Sequence, residues 1–95
     1  MFYPESEYDN VEYKKNINHL TSKKSEHYST QINYRLINGN GICYLYLGIE
    51  DWGEGSGLNQ NEIFDSFNNL IKIINNLNHL QLNIYLKKIK IIYHK

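Results

Sequence analysis

Apolar and polar positions along the 95-residue chain fall into blocks with two different periods. Val11-Glu12-Tyr13-Lys14 alternates apolar with charged, which predicts a short half-buried strand. From Ser22 the period lengthens, and Tyr28, Ile32 and Leu36 recur every four residues as on one face of a helix. Ser22 or Ser25 is placed to cap its start, and Asn38-Gly39-Asn40-Gly41 supplies a left-handed stop. The run from Ile42 to Ile49 is almost continuously apolar and bounded by glycines, the pattern of a central strand covered on both faces. A turn-rich loop from Asp51 to Gly57 follows, read as a hairpin that returns Leu58 beside that strand. Asn59 and Glu62 then stand at capping-box spacing, and Ile63, Phe67, Leu70, Ile71, Ile74 and Leu77 form one helical stripe. Leu82, Ile84 and Leu86 alternate, Lys87-Lys88 breaks the phase, and Ile89 and Ile91 resume it. That slip predicts a bulged strand, or two strands joined by a tight turn.

The element order is therefore β-α-β-(β)-α-β, an α/β (α+β) fold. Its expected form is a small two-layer sandwich with a mixed sheet and two helices on one face. The length allows one domain, residues 11–95, preceded by a flexible acidic arm of residues 1–10 that carries Glu5, Glu7, Asp9 and the sole proline. The longest apolar-leaning stretch, Leu70 to Leu86, is cut by Asn, His, Gln and Lys, so it falls short of the ~20 apolar residues that span a bilayer. The acidic start does not resemble a leader peptide, and a cytoplasmic location with no membrane partner is expected.

Composition removes several chemistries. The chain has no alanine, one valine and an excess of Asn, Ile, Tyr and Lys, a bias in keeping with AT-rich codons, so the Asn runs carry no functional reading. A lone Cys43 excludes an internal disulfide, and His19, His27, His79 and His94 are too scattered for a zinc motif. There is no GxxxxGK[ST] phosphate loop and no GxSxG elbow, and Gly53-x-Gly55-x-Gly57 has the wrong spacing for a dinucleotide and three carboxylates beside it. No cofactor and no small-molecule substrate are expected for this segment. Ten basic residues balance ten acidic ones, but the charges are sorted: every charged side chain after Asp65 is a lysine. Lys87, Lys88 and Lys90 are the candidate nucleic-acid contacts, with a solvated face as the plainer reading.

The carboxylates suggest one further site. Glu7 and Glu12 flank the first strand, and Glu50 and Asp51 end the central one. If those strands are neighbours, the groups converge as a Mg²⁺ or Mn²⁺ site for phosphodiester cleavage requires, with Lys14 placed to offset charge in the transition state. The plainer reading makes Glu12 and Lys14 exposed alternating residues and Asp51 the start of a turn.

Several ordered segments carry a resemblance. Val11-Glu12-Tyr13-Lys14, Glu26-His27, Thr30-Gln31-Ile32, Arg35-Leu36, Gly39-Asn40-Gly41, Leu47-Gly48-Ile49-Glu50-Asp51, Gly53, Gly57-Leu58 and Glu62 follow one pattern. It resembles the segment preceding the GTPase domain in the GTP-binding-protein-one/two family of elongation-factor-like translational GTPases. There the run reads approximately I-E-Y-K, E-H-x-x-T-Q-M-x-x-R-L-x-E-G-x-G, Y-x-I-G-V-E-D-x-G and G-L. The resemblance covers Val11 to about Leu77 and departs from the pattern at Trp52 and in the Asn-rich second helix. It implies a non-GTP-binding accessory domain, with the GTPase domain, and the GTP and Mg²⁺ it binds, beyond residue 95. Translation, tRNA delivery and RNA surveillance are the associated processes. The implied partners are the protein's own GTPase domain, the ribosome or tRNA.

A second resemblance falls on the same residues. Glu7-x-x-x-Val11-Glu12-Tyr13-Lys14 and Gly48-Ile49-Glu50-Asp51-x-Gly53 are similar to the E-S-x-x-V-E-F-K and I-G-V-x-D-x-G runs of Schlafen-type, AlbA-like domains, with Tyr8 where that pattern has Ser. Some of those domains are metal-dependent RNA endonucleases. Their three carboxylates would fall here on Glu7, Glu12 and Asp51, as both catalytic and metal-binding residues. The Thr30-Gln31 and Arg35-Leu36 matches belong to the GTPase pattern alone.

Overall fold

In the computed structural model, which describes residues 2–79 and 88–94, five elements alternate strand and helix. They are β1 (Val11–Lys14), α1 (Ser22–Asn38), β2 (Ile42–Leu47), α2 (Gln60–His79) and β3 (Lys88–Tyr93). The sheet has the order β1-β2-β3, and both pairings are parallel. This corrects the expected mixed sheet. Each helix carries the chain back to the end where the previous strand began, so consecutive strands run the same way. The glycine loop after β2 contributes only a single antiparallel bridge, Ile49 to Gly55, and not a further strand. β3 pairs with β2 without a break over its six residues. The alternation at Leu82, Ile84 and Leu86 lies outside the described residues.

Both helices pack into one core. Cys43, Leu45 and Leu47 alternate onto one face of β2 and meet Ile32 and Leu36 of α1 and Leu70, Ile73 and Leu77 of α2. Burial pushes the Cys43 thiol up to about 12, so it packs as a small hydrophobe. The buried stripe of α2 corrects the sequence pattern in two places: Ser66 and Ile73 are inside, while Phe67 and Ile71 are exposed. Ser66 is tolerated there because its hydroxyl accepts the Ile17 N–H at 3.0 Å.

Helix ends follow local chemistry. Thr21 is the cap, accepting the Lys24 N–H on its side chain, and the expected caps Ser22 and Ser25 lie inside the helix. At α2 the reciprocal capping box forms: the Glu62 N–H donates to Asn59 Oδ1 at 2.8 Å, and the Asn59 N–H donates to Glu62 Oε1 at 3.1 Å. The left-handed stop after α1 is made by Asn40 and Gly41, at φ 52° and 97°. No described helix is long and apolar enough to cross a membrane.

Residues 2–10, expected as a loose arm, are held against the fold. The Phe2 N–H donates to the Gly53 carbonyl at 2.9 Å and the Glu5 N–H to the Asp51 carbonyl at 2.8 Å. The Phe2 ring meets Tyr13, Tyr46 and His94 edge-on. The arm approaches so closely at Gly53, which has φ +94°, that a Cβ there would run into the Phe2 carbonyl.

Candidate functional site

The β1 edge of the sheet is polar where the rest of the core is apolar. Register pairs Glu12 with Leu45, so its side chain enters the layer between sheet and helices, where it is 3% exposed. α1 supplies its partner. Arg35 continues the buried face of Ile32 and Leu36, and its Nε donates to Glu12 Oε2 at 2.7 Å. The guanidinium also ties down the arm: Nη1 donates to the carbonyls of Ser6, at 2.6 Å, and Asp9, at 2.9 Å, while Nη2 lies 3.9 Å from Glu5 Oε1. Lys14 Nζ is 3.5 Å from the other Glu12 oxygen, Oε1. Two cations therefore occupy both oxygens of one buried carboxylate.

The electrostatics are those of a structural pair. Burial works against the charge on Arg35, but the hydrogen bond and charge of Glu12, with Glu5 and Asp9, outweigh it and raise its pKa. Glu5 is raised as well, but there the shift disfavours the charged form and burial is its main cause. Its loss of solvent raises its pKa, repulsion from Glu12 and Asp51 adds to that, and the Tyr13 N–H at 2.6 Å and Arg35 oppose it.

Around this pair lies an open cleft of about 490 Å³, lined by Glu5, Glu7, Glu12, Thr30, Gln31, Tyr34 and Arg35. α1 forms one wall and the arm the other, joined where the Tyr34 hydroxyl donates to the Glu7 carbonyl at 2.7 Å. Gln31 Oε1 is buried without a hydrogen-bond partner among the described residues, an acceptor in a lining already rich in acceptors.

The sequence candidates are distributed unevenly. Glu7 and Glu12 share the cleft, whereas Asp51 sits in the turn after β2, exposed and absent from the lining. Glu50 is 3.7 Å from Lys15. No three His, Cys, Asp or Glu side chains among the described residues are grouped to hold a metal ion, and the proposed triad Glu7, Glu12 and Asp51 is not assembled. The expected exposed alternation of Glu12 and Lys14 is also not found, because Glu12 faces the core. Of the lysine candidates, Lys90 is exposed on β3, Lys88 opens that strand, and Lys87 lies outside the described residues.

Composition and periodicity missed the arginine at the centre. Its signal is present: Arg35 falls on the same helical stripe as Tyr28 and Ile32, and an arginine on a buried stripe demands an acidic partner from another element. Compared with protein-family models, curated proteins and solved structures, the chain finds no match.

Proposed function

We propose that the chain is an accessory interaction domain of an elongation-factor-like translational GTPase, one that binds no nucleotide itself and docks on the GTPase domain of its parent protein, the ribosome or tRNA in the cytoplasm. One observation carries the reading: Glu12 of β1 and Thr30, Gln31 and Arg35 of α1, polar residues on which the family resemblance rests, line a single cleft. In this reading Glu12 and Arg35 set the shape of the cleft, and Thr30, Gln31 and Tyr34 offer hydroxyl and amide groups to a partner. GTP and Mg²⁺ belong to the parent's GTPase domain.

The metal-dependent nuclease reading has no comparable support. Glu12 is already engaged by Arg35 and Lys14, and Asp51 lies outside the cleft. Its test is incubation of structured RNA with the chain and Mn²⁺, for which no cleavage is expected. Cleavage that Glu12→Gln abolishes would restore it.

Two measurements test the accessory-domain reading. Titration with fluorescent GTP is expected to give no saturable binding, and micromolar affinity would sink the claim. The transcript downstream of codon 95 is expected to encode a GxxxxGK[ST] loop within several hundred codons. An immediate stop codon would contradict it.

A further inference from the structure

An all-parallel sheet ordinarily has both faces covered. Here both helices join the core on one face, where Cys43, Leu45 and Leu47 point. Among the described residues the N-terminal arm crosses one end of the other face, where the Phe2 ring packs on Tyr13 of β1, Tyr46 of β2 and His94 after β3, and Tyr13 is 7% exposed. The rest of the β2–β3 side is open, with Ile42 38% and Ile92 37% exposed and Tyr44 half-buried.

The chemistry of this open half is specific. Register places Tyr44 beside Lys90, Ile42 beside Lys88 and Tyr46 beside Ile92. Among the outward positions of the three strands none is acidic, and Lys90 is exposed there. Lys90 Nζ lies 5.8 Å from the centroid of the Tyr44 ring. The ammonium stands over the ring, so a base that stacks on Tyr44 displaces it toward the adjoining phosphate. Glu5, Asp9 and Glu12 gather at the opposite edge, around Arg35, which favours β3 over β1 for a polyanion.

We infer that the open β2–β3 half of the outer sheet face binds single-stranded RNA, with a base stacked on Tyr44 and a phosphate held by Lys90. The face is shallow and open, which suits splayed bases better than a duplex whose bases are already stacked. The inference does not rest on the accessory-domain reading, because the cleft lies on the helix side of the sheet and the lysine–tyrosine pair on the other.

The test is fluorescence anisotropy of a labelled uridine decamer titrated with the 95-residue chain at low salt. Saturable binding is expected, weaker for a duplex of the same length. Tyr44→Ala is expected to weaken it by about 5- to 150-fold, the range for loss of one base–aromatic stack. Lys90→Gln, at an exposed position that the fold does not need, is expected to lower the slope of log affinity against log salt by about 0.7, one phosphate contact. Phe64→Ala, 67% exposed on α2, is the control and leaves affinity unchanged. Circular dichroism of each variant separates lost binding from lost folding. Absence of binding at ~100 µM protein, far weaker than a stacking platform gives, overturns the inference and leaves the face to a protein contact. Wild-type affinity and salt slope in folded Lys90→Gln overturn it as well. Either failure leaves the GTP titration and the downstream sequence to judge the accessory-domain reading separately.

Discussion

The two helices cover the same sheet by different physics. α2 buries Leu70, Ile73 and Leu77 with one serine, whereas α1 buries Ser25, Ser29 and Arg35 alongside Ile32 and Leu36. Apolar burial is non-directional and tolerates small shifts, so the α2 side is held by area. Charged pairing is directional, and Arg35 fixes β1, α1 and the arm in one relative position through contacts to Glu12, Ser6 and Asp9. The cleft is on the side held by directional contacts. A binding surface assembled from three separate segments needs that kind of registration, and its cost in stability is carried by the α2 side.

Removing one charge of the pair should give the largest effect. Arg35→Ala leaves Glu12 buried with only Lys14 near it, and urea unfolding should show a loss of about 3–5 kcal/mol. The arm should come free as well, seen as faster hydrogen exchange of the Glu5 and Tyr13 amides. Leu70→Ala on α2 should cost about 3 kcal/mol through transfer and cavity terms. That variant should leave the arm amides protected, and if it released the arm equally the contrast between the two sides would fail. The caps predict a smaller and equal loss: Thr21→Ala and Asn59→Ala should each cost about 1 kcal/mol.

The smallest expected effect is a pH dependence centred on Glu5. Burial raises its pKa above the ordinary 4.5. A carboxyl that holds its proton more tightly when folded contributes stability that is fully present below the ordinary value and is lost as pH rises through the raised one. Unfolding free energy measured on either side of that window should therefore show a downward component with rising pH, absent in Glu5→Gln. An upward component removed by the same substitution would contradict the assigned cause.

Much of this was legible in the sequence where the signal is local. The alternation at β1, the apolar run of β2 and the capping box of α2 each depend on a few neighbouring residues, and each element forms where it was read. Strand direction was not legible, because glycines after β2 are as compatible with a hairpin as with the loop leading to a helix. In α2, apolar residues extend from Ile63, Leu70 and Ile73 round to Phe64, Phe67 and Ile71, so periodicity alone did not say which sector faces the sheet. The Asp51 position depended on where a loop turns. The arm was read as loose because what pins it, backbone carbonyls on a distant arginine, leaves no periodic trace.

The central claim is that Glu12 and Arg35 register the cleft and contribute little net stability as a pair. The most direct test is urea unfolding of the double variant Glu12→Leu/Arg35→Met beside its two single variants. The account predicts that the double variant is within about 1 kcal/mol of the wild type or more stable, while Arg35→Met alone loses ~3 kcal/mol or more. A double variant as unstable as Arg35→Met alone would show that the pair itself holds the fold together, and would contradict the claim.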